Sequence, residues 1–178
     1  HTISRRQRQM CIRDSTRGGK PINSCPHIWE SVKHIIEANP NIVLDGELYN
    51  HELKADFQKI VSLVRKVKCR PEEIKESSEK VEYHVYDMFD KNNPEMRFME
   101  RYMWLQDNVS GNMIVLVDTQ ICDTTKAIDK MYGEYTEAGY EGQMIRQDTP
   151  YECKRSKALL KRKEFITCLL YTSDAADD

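Results

Sequence analysis

Strand-like runs alternate with amphipathic helical stretches along most of this chain, and that switching of period restricts it to an architecture in which helices cover sheets. Residues 26–38 put Ile28, Val32, Ile35 and Ile36 on one helical face, and Asn39-Pro40 stops the helix. Residues 42–49 read as a strand, and residues 55–67 carry a second helical stripe of Phe57, Ile60, Val61, Val64 and Val67. The polar residues 70–80 read as a surface excursion with room for a short helix. Residues 81–89, rich in β-branched and aromatic side chains, are expected to form a strand. Asn93 as cap and Pro94 as first helical residue lead into Phe98, Tyr102 and Leu105. The near-continuous apolar run 113–119 predicts a buried strand. Asp123 is placed to cap a further helix carrying Ile128, Met131, Tyr132, Tyr135 and Ala138, which Gly139 closes. Strands are expected over 141–147 and 151–163. The class is α+β.

At 178 residues the chain is long enough for one domain with its own core. Its 39% hydrophobic and 31% charged residues fit an ordinary globular protein and argue against disorder. No run approaches the roughly 18 apolar residues of a membrane span, which favours a soluble protein. A formal net charge of -2 offers no global attraction for nucleic acid, so any such binding needs a local basic patch. The six cysteines show no Cys-x-x-Cys pair and no metal-ligand spacing to histidine, which favours reduced thiols and an intracellular setting.

The two ends fit their neighbours poorly. Residues 1–15, with Arg5, Arg6, Arg8 and Arg13, and residues 168–178, with Asp174, Asp177 and Asp178, resemble translated adapter sequence, and neither shares a periodicity with the chain beside it. Both are expected to be non-native extensions of a domain covering 16–167 that is incomplete at its N-terminal side. A basic arm and an acidic tail are the alternative reading.

Several residues carry chemistry. Side chains at i and i+2 of a strand share a face, so in Leu44-Asp45-Gly46-Glu47-Leu48-Tyr49 the two carboxylates project together, and Gly46 leaves room for a ligand to approach the backbone. The plainer account is a strand end with solvated acids. The same parity brings Lys161 and Lys163 of Leu159-Leu160-Lys161-Arg162-Lys163 to one face, where two ammonium groups repel each other and favour a shared anion such as a phosphate. Lysines on an exposed strand edge also serve simply to discourage aggregation. Glu141 opens a strand just past the helix-closing Gly139, a position from which a carboxylate can meet a hard cation bridging phosphate oxygens. Tyr86 in His84-Val85-Tyr86-Asp87-Met88-Phe89 is either a core aromatic or a stacking surface. Thr16-Arg17-Gly18-Gly19-Lys20 is a glycine turn with flanking charges, and the Arg17 guanidinium suits a phosphate or ribose.

Taken in order and spacing, the Asp-Gly-Glu element, the Tyr-Asp element, Glu141-Gly142 and the paired lysines resemble the ATP-dependent DNA ligases, particularly the phage-encoded kind. The resemblance runs from about Thr16 to Lys163. It implies a nucleotidyltransferase (ATP-grasp-like) fold, with antiparallel sheets flanked by helices around a nucleotide cleft, and an adenylylation domain working with ATP and Mg²⁺. It also implies that Glu47 meets the ribose or a metal, Tyr86 stacks on adenine, Glu141 lies near the metal, Lys161 and Lys163 hold the α-phosphate, and Arg17 meets the ribose or a DNA 5′-phosphate. The intact protein would be a monomer acting on nicked duplex DNA in repair, replication and recombination, in the host cytoplasm if phage-encoded. Two departures matter: no Lys-x-Asp-Gly nucleophile element occurs in the sequence, and nothing resembling a DNA-gripping OB-fold follows Lys163. A fragment unable to self-adenylylate is therefore expected. An RNA ligase, a messenger-RNA capping guanylyltransferase, or a non-catalytic nucleotide- or nucleic-acid-binding remnant without its lysine are the alternatives.

Overall fold

Pro26 at its first position starts helix α1 (Pro26–Ala38), and Asn39 ends it by donating its backbone N–H back to the carbonyls of Ile35 and Ile36. In this computed structural model the described residues are 21–154 and 156–163, so Arg17 and the two suspected extensions lie outside them. Strand β1 (Ile42–Tyr49) follows, then a 3-10 turn over His51–Asp56, α2 (Phe57–Val64), α3 (Pro71–Lys80), β2 (Glu82–Asp90), α4 (Phe98–Asn108), β3 (Ile114–Leu116), α5 (Thr125–Glu137), β4 (Gly142–Arg146) and β5 (Leu159–Lys163). The described residues fall into two compact units. One runs to Thr119 and takes back Asp148–Cys153; the other holds Gln120–Gln147 and the residues from Lys154 on.

The first unit is built on a three-stranded sheet in the order β1-β2-β3, with β1 antiparallel and β3 parallel to β2. The parallel β2-β3 pair stands beside the antiparallel pairing expected from the sequence. Leu44 and Leu48 of β1 turn to the side where the core lies, one cluster joining Val32, Ile35, Ile42, Val85, Met88, Leu105, Val109 and Ile114, the other Cys25, Ile28, Leu63 and Val81. Pleating therefore sends Asp45, Glu47 and Tyr49 to the opposite face.

Several boundaries differ from the sequence pattern for identifiable reasons. The second helix begins at Phe57 because Asp56 accepts the Lys59 backbone N–H, and it ends at Val64, which leaves Val67 81% exposed rather than on the apolar stripe. Residues 70–80 are a full helix rather than an excursion. Its Ser77 is buried and donates to the Ser24 carbonyl, while Glu73 binds Lys66 and Arg70 and Glu76 binds Lys59 and Lys80. α4 starts at Phe98, not Pro94, because Glu100 accepts from the Arg97 backbone and Asp148 accepts from the Met99 N–H. The run 113–119 yields only a three-residue strand, with Val115 exposed at 36%.

The bonds around α3 make its docking acid-sensitive. Glu73 is held at about 2, first by the Arg70 backbone N–H and then by Lys66 and Arg70, and Glu76 is held at about 2 by Lys59 and Lys80. Depressed folded-state values stabilise above the ordinary carboxylate value of about 4.5, and the benefit disappears as pH falls through about 2. The protection of α3 amides, corrected for the intrinsic pH dependence of exchange, should therefore fall between those limits, and more at low salt than in the rest of the unit. Exchange in α3 that tracks the core strands at every pH would contradict this.

In the second unit Thr124, not Asp123, caps α5 by accepting the Ala127 N–H. Gly139, at φ +87°, lets the chain reverse so that its own N–H reaches Thr136 and that of Tyr140 reaches Tyr135. β4 and β5 pair antiparallel, from Gly142 opposite Lys163 to Arg146 opposite Leu159, and α5 covers one face of the pair. Strand character between them begins only at Leu159, since residues 148–153 belong to the first unit. No described helix is long and apolar enough to cross a membrane.

Candidate functional site

The first unit contributes Asp45, Glu47 and Tyr86. Register shifts between Asp45 and Gly46: Asp45 faces Asp87 and Gly46 faces Val85, so Tyr86 is the extra residue of a bulge. A bulge re-aims its side chain, and here the Tyr86 hydroxyl donates to Asp45 Oδ1 at 3.3 Å. The second Asp45 oxygen accepts the Tyr151 hydroxyl at 2.7 Å. Burial, and then the bond to the Asp45 carboxylate, push the Tyr151 phenol far up, so it remains a donor at any working pH. Glu47 is exposed, with His84 as its cross-strand partner.

Gly46 plays a different part from the one its sequence suggested. A Cβ there would stand 2.5 Å from the His84 carbonyl oxygen and 2.7 Å from Tyr83 Cε2, so the space beside Gly46 is filled by protein rather than left for a ligand. The glycine permits the strands and the Tyr83 ring to close up.

Beside Asp45, Asp87 is buried against Arg101. The guanidinium donates through Nε to Oδ1 at 2.8 Å and through Nη2 to Oδ2 at 3.0 Å, while Nη1 reaches the carbonyls of Met96 at 2.6 Å and Thr149 at 3.0 Å. Two carboxylates facing each other across a strand pair are thus kept apart electrically, one by a guanidinium fork and the other by two phenols.

In the second unit the hairpin gathers the remaining candidates. Lys161 Nζ lies 3.1 Å from Glu141 Oε2, and the Glu141 carboxyl is held below its ordinary value by the hydrogen bond and charge of Lys161 and by the charge of Lys163. Glu141, Lys161 and Lys163 therefore share one electrostatic neighbourhood, as parity required for the lysines. The pair is open to water, with side chains 77% and 55% exposed, so it contributes little stability and its groups can exchange partners with a ligand. The other face explains how the hairpin is held: Gln143 donates to the Ile128 carbonyl, and Arg162 binds Asp129 at 2.6 Å and lies 4.3 Å from the Tyr132 ring centroid. Among the described residues no group of three or more His, Cys, Asp or Glu converges to hold a metal ion. The acids that suit a hard cation, Glu47 and Glu141, belong to different units.

Sequence reasoning missed Tyr151 and Arg101. Neither stands in a local motif, and their partners Asp45 and Asp87 lie 106 and 14 residues away.

The fold is shared with a structure from a structure-function study of Lig E DNA ligases and DNA binding with a minimal scaffold, at a TM-score of 0.64 and 21% identity, covering 84% of this chain and 54% of that one. A family model, the ATP dependent DNA ligase domain, matches residues 2–163, and the chain belongs to that family. It is 30% identical over 156 residues to a DNA ligase of Archaeoglobus fulgidus, covering 83% of this chain and 27% of the relative. The chain thus spans about a quarter of the length of that relative.

Proposed function

We propose that the chain is a fragment of the adenylylation domain of an ATP-dependent DNA ligase, which as the intact protein would seal nicks in duplex DNA through enzyme-AMP and DNA-adenylate intermediates. The observation that carries this reading is the grouping of Glu141 with Lys161 and Lys163 on one hairpin, in a chain of the DNA ligase family. Lys161 and Lys163 would hold the α-phosphate and neutralise charge as pyrophosphate departs. Tyr86 would stack on adenine. Arg17 would meet the ribose or the 5′-phosphate of the nick. Glu47 and Glu141 offer the hard oxygen ligands that suit Mg²⁺, an ion that keeps most of its coordination for waters and phosphate oxygens; once bound it would supply charge neutralisation at the phosphates. The whole protein would act as a monomer in repair, replication and recombination, and a phage-encoded one would do so in the host cytoplasm.

Calorimetric titration of the full chain with ATP and Mg²⁺ tests the site. Weak binding is expected, and Lys161→Ala or Glu47→Ala should each reduce affinity by roughly tenfold or more. Unchanged affinity in both variants would refute the assignment. Because the sequence contains no Lys-x-Asp-Gly element, incubation with α-labelled ATP should leave no covalent AMP on the chain.

A further inference from the structure

We propose that Tyr151 is a positioning residue for the nucleobase: by clamping Asp45 it sets the ring of Tyr86 in its stacking orientation. The proposal rests on the reading that Tyr86 stacks on the base.

Tyr86 sits in a bulge, so the regular pleat does not dictate where its ring points. Its hydroxyl donates to Asp45 at 3.3 Å, long for an O–H···O bond and weak as a tether unless the carboxylate itself is fixed. Tyr151 does the fixing. Its bond to the other Asp45 oxygen is short, at 2.7 Å. The Tyr151 ring is held in turn, with Phe89 at a centroid distance of 5.6 Å on one side and the Arg101 guanidinium at 5.6 Å. Arg101 is fixed by Asp87 and also donates to the Thr149 carbonyl, two residues before Tyr151. A chain of bonded groups therefore runs from a buried ion pair through Tyr151 and Asp45 to the Tyr86 ring. The groups of this chain belong to the first unit and Lys161 and Lys163 to the second, so the prediction separates base binding from phosphate binding.

The test uses the full chain with 2-aminopurine riboside triphosphate, whose fluorescence is quenched by ring stacking, and inorganic tripolyphosphate, each with Mg²⁺. Tyr151→Phe, which keeps the ring and removes the hydroxyl, should lower affinity for the fluorescent nucleotide about five- to tenfold and relieve part of the bound-state quenching. Tripolyphosphate affinity should stay unchanged. Asp45→Asn should reproduce the loss, since an amide cannot accept from a phenol at both ends, and it serves equally if Tyr151→Phe does not fold. In a Tyr86→Phe background, Tyr151→Phe should have no further effect on quenching. Quenching and affinity unchanged in both Tyr151→Phe and Asp45→Asn, while Tyr86→Ala abolishes quenching, would overturn the positioning role alone. If Tyr86→Ala also leaves quenching unchanged, the stacking assignment falls and takes this proposal with it. An equal loss of tripolyphosphate and nucleotide binding would show a general structural defect and would likewise overturn it.

Discussion

Arg101→Ala should destabilise the first unit by about 3–5 kcal/mol in urea denaturation, the range for stripping one partner from a buried ion pair. Both side chains are almost wholly enclosed, at 3% and 1% exposure. Asp87 would keep its hydrogen bond from the Met88 N–H but lose both guanidinium donors, and the Met96 and Thr149 carbonyls would lose theirs. The double variant Arg101→Ala with Asp87→Ala should be less destabilised than the sum of the two single changes, because the uncompensated charge disappears with the aspartate. A loss below about 1 kcal/mol for Arg101→Ala would mean that the groups left behind find water or other donors at little cost.

Gly46→Ala should be nearly as damaging, at about 3 kcal/mol in the same measurement. The new methyl would meet the His84 carbonyl at 2.5 Å, an atom fixed by the antiparallel ladder, and the Tyr83 ring at 2.7 Å. Tyr83 packs against both core clusters, so swinging its ring aside gives up those contacts. Relief must come from separating β1 and β2 just where Asp45 and Tyr86 meet. Wild-type stability in Gly46→Ala would show that the strands part there at little cost.

Local signals carried much of this structure into the sequence. α1 and β1 were legible to the residue because Pro26, the apolar spacing and Asn39-Pro40 all act within their own segments. The shared face of Lys161 and Lys163 was legible too, since strand parity is a property of the backbone alone. What escaped detection depends on distant partners. α3 has Ile74 as its one large apolar side chain, and its helical state leans on Lys59 and Lys66 from outside it. The Asn93-Pro94 start lost to Asp148, an acceptor 49 residues from Met99. Tyr151 looked like strand because nothing near it announces a bond to Asp45.

The excursion of Asp148–Cys153 into the first unit also bears on the order in which the molecule assembles. β4 and β5 cannot zip from a tight turn, because residues 147–158 intervene between paired ends. Bringing those ends together incurs loop-closure entropy that no turn residue offsets. Anchoring Asp148, Thr149 and Tyr151 onto α4 and β1 would shorten the free span that remains to be closed. Closure of the lysine-bearing hairpin is thereby expected to follow consolidation of the sheet that holds Asp45.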